Sequence, residues 1–225
     1  MTQLRNGETV KRLQMLLLNE IFHSIQGEST RVGLPTVFVR LTGCPLRCDW
    51  CDTDYAFTGG ESVSVAEVLA RVARFGCRQV CVTGGEPLAQ KACPALLAAL
   101  CDAGYDVSLE TSGALDVSGV DARVARIMDL KAPGSGEMEK NRWENLAALG
   151  AHDEIKFVLA SPADYAWAKG VLAERRLAEI CPVLLSPVQG RLDPALLAEW
   201  ILRDRLPVRF QLQLHKILWG AERGR

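Results

Sequence analysis

Short apolar runs rich in β-branched residues alternate with longer segments of helical periodicity, and this alternation constrains the fold of the chain more than any other feature. The pattern is typical of repeated βα units built on a mainly parallel sheet. A complete eight-fold barrel takes about 250 residues, whereas this chain has 225. We therefore predict an α/β fold, namely a shortened, incompletely closed parallel (β/α) barrel. The predicted strands are Thr36 to Leu41, Gln79 to Thr83, Asp106 to Glu110, Arg126 to Leu130, Glu154 to Leu159, Pro182 to Leu185 and Val208 to Leu214.

Capping signals place helices between several of these strands. Ser64 and Glu67 stand at the spacing of a capping box, and two other segments combine an N-cap residue with proline at the first helical position. In folds of alternating strands and helices, chemistry gathers on the loops that follow the C-terminal ends of the strands. The predicted helices run from Ser64 to Phe75, from Pro94 to Gly104, and from the pairs Ser161–Pro162 and Asp193–Pro194.

Composition bounds the class of partner. With 48% hydrophobic and 24% charged residues the chain has ample material for one core, and a net charge of −1 gives no basic footprint for nucleic acid. A small-molecule substrate is the better expectation. No segment approaches the roughly 20 apolar residues of a membrane helix, so we expect no membrane partner and a soluble cytoplasmic protein. Residues 1–14 are polar and are predicted to be a flexible N-terminal extension of a single domain at 15–225.

Three cysteines at CxxxCxxC spacing, Cys44, Cys48 and Cys51, lie in one short loop after a predicted strand. A [4Fe-4S] cluster is ordinarily held by four cysteines, and the nearest further cysteine is Cys77. The triplet therefore predicts a cluster with one iron open to a non-protein ligand. Structural zinc normally takes four ligands and disulfides need an oxidising compartment, so both alternatives are weaker. The cysteines expected to pack in the core are Cys77, Cys81, Cys93, Cys101 and Cys181.

Glycine-rich or polar motifs follow four of the predicted strands. The turn Thr83–Pro87, TGGEP, has two glycines that let the backbone approach a ligand closely, and Glu86 with the free amides can bind an amino-acid moiety. Hydroxyls, a carboxylate, a lysine and amides follow the later strands in ETSG at 110–113, DLKAP at 129–133 and SPVQ at 186–189. Groups of these kinds can bind a ribose and an adenine edge.

Arg40 lies inside an otherwise apolar predicted strand, four residues before Cys44. Strand alternation puts Phe38 and Arg40 on one face and Val37 and Val39 on the other. A buried, unpaired guanidinium is costly, so Arg40 is either an edge residue in water or points into a cavity. Because the cysteine loop follows at once, we favour a cavity and an anionic ligand bound in the bidentate manner typical of arginine.

Two further segments bring polar groups to the predicted site. Ile25–Glu28 combines an amide and a carboxylate at a glycine turn, which can read a heterocycle with ring N–H and C=O groups, such as the guanine-like edge of a pterin. A plain polar loop is the alternative. His215 and Lys216 are expected at the C-terminal edge of the last strand, where His215 is a candidate pocket residue.

The CxxxCxxC loop resembles the signature of the radical S-adenosylmethionine (SAM) superfamily, and TGGEP resembles its SAM-binding glycine segment. Together with EIFHSIQGE, FVRLTGC, ETSG and QLHK, these motifs resemble the 7-carboxy-7-deazaguanine synthase family of queuosine biosynthesis over nearly all of the chain after Met15. The resemblance implies that SAM chelates the open iron and yields a 5′-deoxyadenosyl radical, which removes a hydrogen at C6 of 6-carboxy-5,6,7,8-tetrahydropterin. Ring contraction and loss of ammonia then give 7-carboxy-7-deazaguanine, with SAM regenerated.

The resemblance also implies Mg²⁺, a homodimer and a flavodoxin-like or ferredoxin-like electron donor. By position, the Thr53 hydroxyl would ligate Mg²⁺, a hard cation that prefers oxygen. The residues implied around the pterin are Ile25, Gln26, Gly27, Glu28, Arg40, Thr83 and His215. The residues implied around SAM are Trp50, Cys51, Asp52, Gly85, Glu86, Ser112, Asp129, Leu130, Lys131, Ser186, Pro187, Val188 and Gln189.

The chain departs from the family pattern in three places. Many relatives carry serine and proline where this chain has Asp129 and Leu130, the usual threonine before the late histidine is Leu214, and the tail WGAERGR runs past the point where some relatives end. Two alternatives stay open at this point. A glycyl-radical enzyme activase shares the cysteine spacing but acts on a partner protein, and would lack a buried anion partner such as Arg40. A non-catalytic zinc or iron–sulfur scaffold would cleave no SAM.

Overall fold

The computed structural model describes residues 15–220 and 222–225, and the extension predicted for residues 1–14 lies outside them. The described residues form one nine-stranded sheet with five α-helices. The strands are β1 (Met15–Ile25), β2 (Pro35–Leu41), β3 (Glu61–Ser64), β4 (Gln79–Gly84), β5 (Asp106–Thr111), β6 (Ala125–Asp129), β7 (Glu154–Leu159), β8 (Val183–Pro187) and β9 (Arg209–Phe210). The helices are α1 (Val65–Ala73), α2 (Cys93–Asp102), α3 (Pro162–Glu174), α4 (Pro194–Asp204) and α5 (Leu214–Trp219).

Short 3₁₀ segments connect several of these elements. They are Asp54–Phe57, Pro87–Ala89, Pro133–Ser135, Met138–Lys140, Trp143–Ala148 and Leu177–Glu179. The segment Asp54–Phe57 directly follows the cysteine loop. Across the described ranges, no helix is both long and apolar enough to span a bilayer.

The sheet is mostly parallel and does not close. Its strand order is β3-β1-β2-β4-β5-β6-β7-β8-β9, and every neighbouring pair from β2 to β9 is parallel. β1 pairs antiparallel with both β2 and β3. β3 and β9 therefore stand at opposite ends of the order, which confirms the predicted incomplete parallel barrel.

Two apolar clusters pack the sheet against its helices. The first joins β1, β2, β4 and β5 to α1 and α2, and the second joins β6, β7 and β8 to α3 and α4. In β2, Val37, Val39 and Leu41 are fully buried in the first cluster, which confirms the predicted alternation. The opposite face of β2 carries Phe38 and Arg40 and is free to line a site.

Three of the four predicted helix starts are confirmed by their caps; the helix predicted from Pro94 begins at Cys93 without a side-chain cap. Ser64 and Glu67 form a reciprocal capping box at α1. The Ser161 hydroxyl accepts from the Asp164 amide at α3, and the Asp193 carboxylate accepts from the Ala195 amide at α4, each ahead of the proline at the first position.

The sequence interpretation was wrong at both ends of the sheet. β1 and β3 were not predicted, because β1 mixes polar and apolar residues and β3 has only four residues. The last strand, predicted from Val208 to Leu214, is only Arg209–Phe210, and Leu214 begins α5. His215 accordingly lies in the first turn of a helix rather than at a strand edge. β9 is the end strand of the sheet and, among the described residues, pairs only with β8. The QLQL segment therefore has no second neighbouring strand in the described sheet that would extend β9 beyond Phe210.

A bulge in β1 sets which of its side chains face the site. Leu18 pairs with Leu41 and Glu20 pairs with Arg40, the residue before Leu41 in β2. β1 therefore has one extra residue between Leu18 and Glu20. Leu18 packs in the core and so does Ile21. The side chains at Glu20 and Phe22 therefore point to the opposite face, because a one-residue shift reverses strand alternation.

Candidate functional site

A cavity of about 740 Å³ opens at the carboxyl ends of the parallel strands. The cysteine loop, the strand-end turns, α5 and the C-terminal tail enclose it. The structure thus brings together most of the residues that the sequence analysis proposed. These are Ile25, Gln26, Gly27, Glu28, Arg40, Cys44, Cys48, Trp50, Cys51, Asp52, Thr53, Thr83, Gly85, Ser112, Asp129, Lys131, Val188, Gln189 and His215.

Four of the proposed SAM residues do not line the cavity: Glu86, Leu130, Ser186 and Pro187. Leu130 packs in the second apolar cluster. The Glu86 carboxylate is fully buried and accepts bonds from the Thr111 hydroxyl and from the Ser112 amide at 2.7 Å. Glu86 therefore ties two strand-end turns together instead of presenting a free carboxylate to a ligand, because its oxygens are already used.

The three cysteines of the loop are free thiols and partly buried. Burial raises the pKa of Cys44 and of Cys48, so metal binding at these thiols releases protons. Within the described ranges no trio of His, Cys, Asp or Glu side chains converges on a single metal ion. A [4Fe-4S] cluster does not need convergence, since each cysteine binds a different iron.

The TGGEP turn lies directly against the cysteine loop. The Glu86 amide donates to the Gly43 carbonyl at 2.7 Å, and the Gly85 amide donates to the Leu41 carbonyl at 3.1 Å. A Cβ on Gly85 would stand 2.4 Å from the Gly43 oxygen and 2.8 Å from the Cys44 Cβ. Only glycine allows this approach, so the turn and the loop form one cradle that fits a cluster and a small ligand bound to it.

Arg40 reaches the cavity from β2 with its side chain 13% exposed. Its Nε donates to Glu20 Oε1 at 2.7 Å, across the strand pair. Its Nη1 and Nη2 groups have no hydrogen-bond partner among the described residues. Two parallel N–H donors on a partly desolvated guanidinium fit a carboxylate, which supports the ligand interpretation of Arg40 over the edge-residue alternative.

A chain of alternating charges crosses the cavity wall. Lys156 Nζ lies 2.6 Å from Glu28 Oε2 and 4.0 Å from Asp129 Oδ2, and Lys131 Nζ lies 2.9 Å from the same Asp129 oxygen. Burial alone raises the pKa of Glu28, but Lys156 and Gln213 outweigh it and hold that pKa at about 2. Burial lowers the pKa of Lys156, yet Glu28 and Asp129 outweigh that effect and raise it above the ordinary value.

Among the charged side chains Glu28, Lys156, Asp129 and Lys131, one buried oxygen has no hydrogen-bond partner in the part of the chain that the structure describes. Asp129 Oδ1 is buried and has no hydrogen-bond partner among the described residues. A buried acceptor without a donor costs free energy, so the atom fits a donor from a ligand. This orphaned oxygen, with the glycine cradle beside Cys44, is the observation on which the fit of SAM to the site depends.

A second polar group faces the cavity from β5. Glu110 accepts from the Thr83 hydroxyl at 3.0 Å and from Gln26 Nε2 at 3.4 Å. These residues come from three separate elements of the chain. An amide, a hydroxyl and a carboxylate in contact offer both donors and acceptors to a heterocycle edge.

Helix α5 closes the cavity from the C-terminal side. Lys216 Nζ lies 2.6 Å from Asp52 Oδ2 in the cysteine loop, and Gln213 Nε2 donates to Glu28 at 2.8 Å. A Cβ on Gly27 would stand 2.1 Å from His215 Nδ1. α5 thus packs directly against Gly27. Burial raises the pKa of Asp52, but the neighbouring Lys216 outweighs it and holds that pKa below its usual range.

Several residues that line the cavity or contact its lining were missed by sequence reasoning. Lys156 interrupts an apolar strand as Arg40 does, and that signal was available in EIKFVL. Glu20, Tyr55 and Gln213 reach the site only through the β1 bulge, a 3₁₀ turn and the docking of α5. Those contacts depend on tertiary structure and leave no local pattern.

The chain is similar in sequence to a family of known proteins. A model described as the Radical SAM superfamily matches residues 38–134. A 7-carboxy-7-deazaguanine synthase of Chlorobaculum tepidum is 50% identical over 210 residues, covering 92% of this chain and 96% of that protein. One from Koribacter versatilis is 41% identical over 220 residues, covering 91% and 97%.

A solved structure has the same fold. The crystal structure of QueE from Escherichia coli superposes with a TM-score of 0.74 at 24% identity, covering 92% of this chain and 99% of that one. The curated relatives are matched over almost their whole length, and membership of the superfamily implies a [4Fe-4S] cluster and SAM as cofactors. The chain belongs to the 7-carboxy-7-deazaguanine synthase family of radical SAM enzymes.

Proposed function

We propose that this chain converts 6-carboxy-5,6,7,8-tetrahydropterin to 7-carboxy-7-deazaguanine with release of ammonia, in queuosine and 7-deazapurine biosynthesis. One observation carries the proposal: the three loop cysteines and the free guanidinium edge of Arg40 open onto the same cavity. The names of the relatives support the same reaction. Because the product has one nitrogen fewer, a carbon–nitrogen bond breaks, and the enzyme class is a carbon–nitrogen lyase.

The cluster and SAM, when bound, supply one-electron hydrogen abstraction from the substrate. Cys44, Cys48 and Cys51 would hold the cluster. The glycine turn at Gly85 and the free Asp129 oxygen are the groups that best fit the SAM amino-acid and adenosyl portions.

The substrate's two polar ends fit opposite parts of the cavity. Arg40 presents two N–H donors to the pterin carboxylate. Gln26, Thr83 and Glu110 present the mixed donors and acceptors that a guanine-like edge requires. Binding the reactant at both ends orients C6 for abstraction and suppresses other reaction positions.

Mg²⁺ is proposed at Thr53. The Thr53 hydroxyl lines the cavity and lies 3.8 Å from Cys51 Sγ. Magnesium keeps several waters and takes substrate oxygens, so a single protein oxygen is sufficient to place it. Such an ion would orient the substrate carboxylate during the rearrangement.

Anaerobic reconstitution tests the proposal. Protein loaded with iron and sulfide is expected to form deazaguanine and ammonia from the carboxypterin in the presence of SAM, Mg²⁺ and a reductant. Cys48→Ala is expected to lose the cluster and all turnover, whereas the matched control Cys77→Ala, at a thiol outside the cavity, retains both. A cluster-loaded protein that cleaves SAM but never forms deazaguanine would contradict the proposed reaction.

The activase alternative is not favoured, because the relatives named as synthases match this chain over nearly its full length. It also predicts no anion-binding arginine, whereas Arg40 lines the cavity. An activase would cleave SAM only with a protein partner present, so the same assay separates the two functions.

Three further parts of the proposal concern assembly and supply. We propose a homodimer, with residues 15–225 as a single domain, and light scattering measures the mass. We propose a flavodoxin-like or ferredoxin-like electron donor, which must reduce the cluster in a stopped-flow experiment. A cytoplasmic location follows from the need for a reduced cluster and for that donor.

A further inference from the structure

Glu20 is hydrogen-bonded to Arg40, and the β1 bulge brings the two side chains to the same face. Glu20 and Arg40 are directly opposed in the antiparallel pair β1–β2, and the distance from Arg40 Nε to Glu20 Oε1 is 2.7 Å. Without the extra residue after Leu18, Glu20 would face the apolar core on which Ile21 packs. The bulge thus places a carboxylate beside a guanidinium in the cavity wall.

This contact fixes the direction of the guanidinium. Only Nε of Arg40 is bonded to Glu20, so the planar group is held at one N–H, and its Nη1 and Nη2 groups have no hydrogen-bond partner among the described residues. Phe22 lies beneath the same group, with the guanidinium carbon 5.8 Å from the ring centroid. The Phe22 ring stacks in turn on Phe38, with their ring centroids 4.9 Å apart.

Glu20 is itself held by Tyr55. The Tyr55 hydroxyl donates to Glu20 Oε1 at 2.9 Å. Arg223 of the C-terminal tail lies over the Tyr55 ring at 4.1 Å, which joins the tail to this contact chain.

We infer that Glu20 is a positioning residue that aims Arg40 at the carboxylate of the substrate, and that Tyr55 holds Glu20 in place. The inference rests on the proposed function and extends it to residues that do not touch the reacting atoms. The alternative is that Glu20 merely neutralises the charge of Arg40, and the two roles predict different effects of removing Glu20. If Glu20 only neutralised Arg40, removing it would strengthen the attraction between Arg40 and an anionic substrate.

The two readings predict opposite changes. Glu20→Ala removes the acceptor and is expected to raise KM for the carboxypterin about tenfold or more, since hydrogen bonds to charged groups are of that strength. The value of kcat is expected to change much less, because the arginine binds substrate and transition state alike. Glu20→Gln keeps an acceptor at the same reach and falls between Ala and wild type. Tyr55→Phe shifts KM in the same direction by a smaller factor.

Binding of a ligand without the carboxylate isolates the positioning role. Tetrahydropterin, which lacks the 6-carboxylate, is expected to bind the wild type and the Glu20 variants equally in anaerobic equilibrium dialysis. Cluster content and uncoupled SAM cleavage are expected to be unchanged. Glu61→Gln, which removes the partner of the surface residue Arg71, is the matched control and leaves KM unchanged.

Tighter or equal carboxypterin binding in both Glu20 variants overturns the inference. So does an equal loss of affinity for tetrahydropterin, which would show general damage to the cavity. If Glu20→Ala fails to assemble its cluster, the comparison is made with Glu20→Gln and Tyr55→Phe. Failure of the proposed function is a separate result, because the wild type itself would then not turn over the pterin.

Discussion

Removing Lys156 provides a quantitative test of the charge chain in the cavity wall. Lys156 and Glu28 are each 12% exposed as side chains and 2.6 Å apart. The pKa of Glu28 falls from 4.5 to about 2 in the folded protein. At about 1.36 kcal/mol per pKa unit, that fall corresponds to about 3 kcal/mol of stability. Lys156→Met removes the cation at similar length and leaves Glu28 buried with the Gln213 amide but without a cationic partner, so we expect a loss of about 3 kcal/mol.

The pH dependence gives a second, independent measurement. A carboxyl with a lowered folded pKa stabilises the fold above its unfolded pKa of 4.5, and loses that contribution as pH falls toward 2. Wild-type stability should therefore decline across this window. In Lys156→Met the largest remaining influence on Glu28 is burial, which raises its pKa, so this part of the acid decline disappears.

Urea denaturation from pH 3 to 7, followed by circular dichroism, measures both effects. The double variant Lys156→Met/Glu28→Gln removes both charges and should recover most of the loss, because a neutral pair leaves no buried charge. Arg71→Met breaks an exposed pair with Glu61 and should change stability little. If Lys156→Met has wild-type stability and the same loss of stability at acidic pH, Lys156 and Glu28 do not form a buried ion pair.

Three further variants test separate parts of the site. Arg40→Ala should abolish productive binding of the carboxypterin while cluster assembly and uncoupled SAM cleavage persist, and loss of the cluster would instead mark a folding residue. Thr53→Ala should blunt the Mg²⁺ dependence of turnover, and an unchanged metal titration would remove Thr53 from the metal site. Gly27→Ala should displace α5, because its Cβ would lie 2.1 Å from His215 Nδ1; faster proteolysis near the C-terminus measures the displacement, and wild-type resistance contradicts it.

The parallel strands of the sheet could be predicted because they are short apolar segments bounded by turn residues. Strands such as β4 and β7 are short, mostly apolar segments that contain β-branched residues. β1 could not be predicted in this way, since its bulge breaks the alternation after Leu18 and leaves Glu20 where an apolar residue is expected. β9 was overestimated because QLQL alternates, but the segment from Leu214 docks as a helix on Gly27.

The cysteine loop and the glycine turn were predictable because their chemistry depends on local spacing. Cys44 and Gly85 can be picked out without knowledge of the fold, as a candidate cluster ligand and as a glycine that allows a close approach. Glu86 shows the limit of that reasoning. Its motif position indicated a ligand, yet its carboxylate bonds Thr111 and Ser112, because burial commits a carboxylate to the nearest donors.

Charged residues within strands are the signal that comes closest to predicting the cavity, provided that the alternation is unambiguous. In β2 and β7 the core residues alternate cleanly, so Arg40 and Lys156 must face the other side, where the cavity lies. In β6 both faces are apolar, and Arg126 turns out to point away from the cavity, where it forms a buried pair with Asp153 at 2.8 Å. A charge in a strand therefore indicates a site only when its neighbours fix the face, and otherwise indicates an ion pair that the fold neutralises internally.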